Sequence, residues 1–318
     1  MKSKPGPAIL MTMRIRQGSL RSRFQARGAA LVLLILGFGA SAAAQPPPFA
    51  DIHLHYTWSQ AEVTEPEEAV AALRRHNVVL GVVAGWPSER ALELAEASDG
   101  RVLALFSPYI EGMSRYDWYR DPRVLERTRE ALASGRYVGI GEVHLSGSRP
   151  PARDNRIFQG LLDLAAEFDV PVLLHTEASD HRFVVPVCQG HPEVRFLWAH
   201  AGGILGAGHS RGLLEACDNV WVELSARDPD HYGSLVDAEG RLPDPWRELI
   251  ADYPERFMTG TDPVWNAQQV YRWYEADEGW RHYDALIAFH RDWLGQLPPD
   301  LERRLRLTNA LDFFGVER

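Results

Sequence analysis

Lysine is nearly missing from this 318-residue chain: it occurs only at Lys2 and Lys4. Both lie in a leader that is expected to be removed, so the mature protein would have none. That excludes a lysine Schiff base, a lysine-bound pyridoxal phosphate and a carbamylated lysine joining two metal ions. Any bridging ligand has to be a carboxylate. Cysteine is almost as scarce. Cys188 and Cys217 are the only two, without the spacing of a structural zinc site. Both are flanked by apolar residues, so two buried thiols are the expectation, a disulfide being the alternative open to an exported protein. Positive charge is also short. The formal charge is −9, and residues 1–44 hold seven basic residues and no acid, so losing them takes it to −16. Nucleic-acid binders present a basic face. A nucleic-acid partner is therefore not expected, and a small-molecule substrate is.

Residues 1–44 read as a cleavable signal peptide. Lys2, Lys4, Arg14, Arg16, Arg21, Arg23 and Arg27 form a basic leader, an apolar core runs over 29–40, and Ala42-Ala43-Ala44 precedes Gln45. Translation starting at Met11 or Met13 would shorten the leader without changing this reading. Cleavage after Ala44 would release a periplasmic protein covering 45–318. The apolar core is shorter than the roughly 20 residues of a spanning helix, so no stable membrane anchor is expected.

Short runs rich in valine, leucine and isoleucine recur near 51–55, 78–84, 102–107, 138–142, 172–175, 195–200, 220–225 and 257–262. Segments of helical periodicity separate them, as in Glu67-Glu-Ala-Val-Ala-Ala-Leu-Arg-Arg75 and Ile157-Phe-Gln-Gly-Leu-Leu-Asp-Leu-Ala-Ala-Glu167. Alternation of this kind predicts parallel strands with crossover helices. About 270 residues of mature chain match a single-domain (β/α)8 TIM barrel, which takes about 250. An open doubly wound sheet would show a glycine-rich phosphate turn after its first strand. Here that strand ends in histidines, and Gly202-Gly203 comes too late to serve.

Asp51-Ile-His53-Leu-His55 places two histidines on one face of a strand, where they can close on a single divalent ion. Glu142, His175, His200 and Asp262 each stand at or near the carboxyl end of a later strand. In a barrel those ends share one catalytic mouth. His144 shares a face with Glu142 if the fourth strand continues, and otherwise lies in a turn. Trp58, Trp86, Tyr109, Tyr116, Trp118, Tyr119 and Trp265 follow strand ends and would wall that mouth. Arg115, Arg149, Arg153, Arg182 and Arg227 lie in the same loops, where one or two could clamp a substrate carboxylate. His76, His191, His209, His231, His282 and His290 fall in predicted helices or polar loops and read as solvated.

This set resembles the amidohydrolase superfamily of metal-dependent hydrolases, with His-x-His on strand one, histidines on strands five and six and an aspartate on strand eight. Leu307-Thr-Asn309-Ala310-Leu-Asp-Phe313-Phe314 resembles the closing helix of the amidohydrolase-related branch, whereas Gly139-Ile-Gly-Glu142 is closer to the TatD branch. The resemblance implies one or two divalent ions, zinc first, with manganese or iron as alternatives. It implies His53, His55 and Asp262 on the first ion, His175 on the same ion or a neighbour, and Glu142 as bridge. Asp262 would be the general base, and His200 a ligand of the second ion or the group polarising the substrate carbonyl. The implied reaction is hydrolysis of a small amide, ester or lactone by metal-activated water. Decarboxylation of an aromatic acid on the same scaffold is the nearest alternative, and a non-catalytic metal-binding barrel is an alternative of another class.

Overall fold

The computed structural model describes residues 45–317 apart from 111, 177, 267 and 273; the expected signal peptide lies outside the described residues. Eight strands are found among the described residues: β1 (Phe49–Thr57), β2 (Val78–Trp86), β3 (Val102–Phe106), β4 (Tyr137–His144), β5 (Val172–His175), β6 (Phe196–Trp198), β7 (Val220–Glu223) and β8 (Phe257–Met258). Each overlaps a segment that the sequence pattern marks as a strand, with β1, β2 and β4 running beyond it. They pair in parallel and in sequence order from β1 to β8. Beyond β8 the chain returns to β1, with Ile52 N–H donating to Thr259 O at 3.0 Å and Asp262 N–H to His53 O at 2.8 Å. These bonds close the sheet into a barrel.

Helices α1 (Pro66–Arg75), α2 (Glu89–Ala97), α3 (Arg123–Ala133), α4 (Arg156–Glu167), α5 (His181–Gly190), α6 (Ala207–Ala216), α7 (Asp244–Asp252) and α8 (Tyr283–Leu294) follow the successive strands. Their starts have local causes. Pro66 fixes φ at the first turn of α1, where Glu65 and Glu68 form a capping box. Asn155 accepts from the Ile157 and Phe158 amides at the head of α4.

Two apolar clusters divide the interior. The larger lies between barrel and helices, and the smaller includes Ala50, Ile52, Leu80, Val82, Leu105, Leu173, Leu197 and Met258, filling the barrel itself. The helices α9 (Pro299–Arg303) and α10 (Asn309–Phe314) close its amino-terminal mouth. Asn309 Nδ2–H donates at 2.8 Å to Pro254 O and Phe257 O, at the foot of β8, and Arg195, at the foot of β6, donates to Phe313 O at 2.8 Å. The opposite mouth is left for chemistry.

The last three strands are shorter than their apolar runs. After β6 the backbone enters the left-handed region at His200 (φ 57°) and Ala201 (φ 50°), and after β8 Asp262 does the same (φ 53°). Left-handed backbone ends ladder pairing and re-aims the side chain.

The cysteines correct one expectation. Cys188, in α5, and Cys217, just past α6, are joined as a disulfide rather than held as thiols. Their apolar flanks showed burial but not proximity. The ends of α5 and α6 pack together, which brings the two sulfurs into reach.

Candidate metal centre

Strict alternation along β1 would send Ile52 and His53 to opposite faces. The β1–β2 register shifts between Asp51 and Leu54. Ala50 and Ile52 therefore fill the barrel below, while Leu54 and Tyr56 join the outer cluster and His53 and His55 turn inward above. The same device recurs in β4, where pairing with β5 shifts between Ile140 and Val143. It leaves Val143 in the outer cluster and presents Glu142 and His144 to the mouth. Glycine at 141 is required there, since a Cβ would lie 2.6 Å from Leu173 Cβ.

The ring nitrogens and carboxylates converge. His53 Nε2 and His55 Nε2 are 3.1 Å apart. Asp262 Oδ1 lies 3.3 Å from His55 Nε2 and 3.9 Å from His53 Nε2. Glu142 reaches across the group: Oε1 is 2.8 Å from His175 Nδ1, 3.3 Å from His200 Nε2 and 3.7 Å from His53 Nε2, and Oε2 is 3.5 Å from His55 Nε2. The six residues picked out as ligands thus meet in one place. His144 meets them too, stacked on His175 at 4.4 Å with Nε2 3.7 Å from Glu142 Oε2. Among the described residues three overlapping groups could hold an ion: His53, His55 and Asp262; His53, Glu142 and His200; and Glu142, His144 and His175.

The outer contacts fix which nitrogen faces inward. His53 Nδ1–H donates to Glu223 Oε1 at 2.9 Å. His200 Nδ1 is 2.8 Å from Ser225 Oγ, which in turn donates to Glu223 Oε1 at 3.0 Å. Glu223 also accepts the amides of His200 at 2.6 Å and Ser225 at 2.8 Å. Both Nε2 atoms are left facing the centre, the arrangement by which a carboxylate orients a metal-bound histidine. Burial alone would lower His53, but the charges of Glu223, Asp262 and Glu142 outweigh it and carry it up to about 10. Burial would raise Glu223, but His53 beside it and then His200 hold it at about 2. Burial would likewise raise Glu142, yet His175, His144 and His53 keep it well below the usual carboxylate range.

The donor set fits a divalent ion. Imidazole and carboxylate ligands suit zinc, manganese or iron. Asp262 Oδ1 is buried without a hydrogen-bond partner, which would cost free energy unless a cation met it. So tight a cluster of inward ring nitrogens gains the same way.

A cavity of about 630 Å³ opens above the centre, lined in part by Trp86, Tyr109, Tyr116 and Trp265. His144 is on its wall, held by Tyr109 OH at 2.5 Å from Nδ1, and burial followed by the charge of His175 keeps it well below its ordinary pKa. Two expected substrate residues are not brought there. Trp58 is 47% exposed and outside the lining, because the chain turns into a 3-10 segment directly after β1. Arg182 is exposed at the head of α5 and is neutralised by Asp180, which also caps that helix. Of the other loop arginines, Arg115 lines the cavity, whereas Arg227 is buried and donates to Leu205 O at 2.9 Å.

Two histidines expected to be solvated are held inside instead, His290 buried and His231 partly buried. His231 Nδ1 pairs with Asp228 at 2.8 Å and its ring lines the cavity, and His290 accepts the Trp293 indole N–H at 3.1 Å. Sequence reasoning also passed over Glu223, Ser225, Tyr232 and Asp277. Glu223 carries the same signal as Glu142, a carboxylate at a strand's carboxyl end. Tyr232, whose OH is 3.2 Å from His175 Nε2, and Asp277 come from loops without periodicity.

A (β/α)8 barrel with histidine and carboxylate ligands gathered at its carboxyl-terminal mouth defines a metal-dependent enzyme. The chain belongs to the amidohydrolase family, whose model matches residues 50–316. No curated protein sequence matches it. Among solved structures it is similar to one from Pseudomonas putida assigned as a 2-pyrone-4,6-dicarboxylic acid hydrolase, with 18% identity over 85% of this chain and 98% of that one, TM-score 0.59. It is also similar to an amidohydrolase from Burkholderia multivorans with bound zinc, with 15% identity over 85% of this chain and all of that one, TM-score 0.56. A third is a 2,6-dihydroxybenzoate decarboxylase in complex with 2,6-dihydroxybenzoate, with 11% identity over 84% of this chain and all of that one, TM-score 0.52. Identities this low bear on the fold alone.

Proposed function

We propose that the protein is an exported hydrolase that acts on a small amide, ester or lactone with one or two divalent ions, zinc first. The observation that carries this reading is Asp262. Its buried Oδ1 has no hydrogen-bond partner and sits 3.3 Å from His55 Nε2, at the floor of the cavity. That is the position for a group that both meets a cation and takes a proton from an attacking water. His53, His55, Glu142, His175 and His200 would hold the ion or ions with it, with His144 available beside Glu142. When bound, the metal supplies a Lewis acid that polarises the carbonyl and acidifies water. The chain's own part is to orient: Glu223 and Ser225 aim His53 and His200, and the aromatic walls exclude water around the substrate.

Export rests on the basic leader, apolar core and alanine triplet. Among the described residues no helix is long and apolar enough to cross a membrane. The aromatic walls also suit an aromatic acid, which keeps decarboxylation as the second reading. Metal analysis of protein expressed without residues 1–44, followed by a panel of lactones, esters, amides and aromatic acids, decides. Acid formation or ring opening is expected. Carbon dioxide release from the aromatic acids alone would replace hydrolysis by decarboxylation, and a metal-free, inactive protein would reject both.

A further inference from the structure

Asp51, on β1, takes no direct part in the centre: among the described residues it belongs to none of the groups that could hold an ion, and it does not line the cavity. It is nevertheless fully buried. A carboxyl group is kept in such a place only where its oxygens are met. Oδ1 accepts the Thr261 amide at 2.9 Å, and Oδ2 accepts the Thr261 hydroxyl at 2.7 Å and, at 2.8 Å, the hydroxyl of Tyr283 at the head of α8. Two of these three bonds hold the residue immediately before Asp262.

That stretch of chain needs holding. β8 ends at Met258, so residues 259–262 lie beyond regular sheet pairing. The backbone at Asp262 is left-handed (φ 53°), which a residue other than glycine keeps only where its surroundings impose it. The surroundings here are β1: Thr259 O accepts the Ile52 amide, the Asp262 amide donates to His53 O, and a Cβ at Gly260 would lie 2.7 Å from His53 Cβ. Those backbone contacts could be made by many sequences. The grip of Asp51 on Thr261 needs a carboxyl at one end and a hydroxyl at the other.

We propose that Asp51 is a positioning residue: by holding Thr261 through both its amide and its hydroxyl, it fixes the turn at Asp262 and so aims that carboxylate at the ion and the attacking water. This inference rests on the hydrolase reading above. Its force is geometric, because Asp262 Oδ1 is buried, without a hydrogen-bond partner and 3.3 Å from His55 Nε2. A displacement of about 1 Å at such a group can cost about 10²-fold in rate.

Thr261→Val removes the hydroxyl with little change of volume, and Asp51→Asn replaces one of the two accepting oxygens. Each is expected to lower kcat at saturating zinc, and zinc affinity measured against a chelator, by about 10- to 100-fold. Thr261→Ser should restore both. Tyr283→Phe removes the third bond without touching Thr261 and should leave both close to wild type. The deciding arm repeats Thr261→Val in the Asp262→Asn background. A residue that acts through Asp262 has nothing left to aim there, so the second substitution should cost little further, whereas a general structural role costs the same in both backgrounds. Equal losses in the two backgrounds, or no loss in either single variant, would overturn the proposal, and Thr261→Val carries the test even where Asp51→Asn fails to fold. Wild type inactive on every ester, lactone and amide would reject the hydrolase reading itself, with the zinc-affinity cycle still deciding whether Asp51 aims Asp262. An active wild type with equal losses in both backgrounds would reject the positioning role alone.

Discussion

Glu223 Oε1 accepts the Nδ1–H of His53 at 2.9 Å, and both side chains are fully buried. Through the same carboxylate run the amides of His200 and Ser225. One residue on β7 therefore orients two histidines contributed by β1 and the turn after β6. Glu223→Gln should lower metal affinity about 10- to 100-fold, read by competition against a chelator. An unchanged affinity would reduce Glu223 to packing.

Asp262 and His53 separate catalysis from metal retention. Asp262→Asn removes the proton acceptor but leaves an oxygen and the neighbouring imidazoles, so turnover should fall about 10²- to 10⁴-fold with most of the metal retained. His53→Ala removes a ligand that Glu223 has pre-oriented and should lower metal content. Metal per protein and kcat on a verified substrate check both. Near-normal turnover by Asp262→Asn would refute the assigned base.

The barrel and the meeting of the six histidine and carboxylate side chains were legible because both rest on local signals: apolar runs of strand length, and polar residues at their carboxyl ends. The inward turn of His53 and Glu142 was not. It depends on register shifts next to Ile52 and Gly141, which arise from pairing between strands distant in sequence. Trp58 and Arg182 followed strand ends as Trp86 did, yet loop geometry carried them away. Asp277 stands 15 positions beyond Asp262 and reaches the cavity wall only because the turn at Gly279 folds back on Pro263.

The Cys188–Cys217 bridge spans a sequence separation of 29. On the chain-entropy account a loop of that size contributes about 3 to 4 kcal/mol by constraining the unfolded chain. Cys217→Ser should lower the melting temperature accordingly, and a reductant should lower wild type toward the variant without changing the variant itself. Equal melting curves in all four conditions would mean that the bridge adds nothing.

Export with cleavage predicts a mature amino terminus at or close to Gln45. Amino-terminal sequencing of protein recovered from the periplasm tests it. Recovery of the intact leader in the membrane fraction would contradict cleavage and turn the apolar stretch into an anchor.

The number of ions turns on Glu142. Its two oxygens face different partners: Oε1 is within 3.3 Å of His175 and His200, and Oε2 is 3.5 Å from His55 and 3.7 Å from His144. A carboxylate so placed can join an ion held by His53, His55 and Asp262 to a second held by His175 with His200 or His144. No lysine stands at that position to do the same. The bridge therefore predicts two equivalents of metal in wild type under metal-replete conditions and about one in Glu142→Gln, measured by elemental analysis after gel filtration. His144→Ala then places the second ion: loss of one equivalent assigns it to the Glu142, His144 and His175 group, and retention assigns it to His175 and His200. A wild-type stoichiometry of one would reject the bridge. His175 would then belong to the single ion, and His200 would be free to polarise the substrate carbonyl.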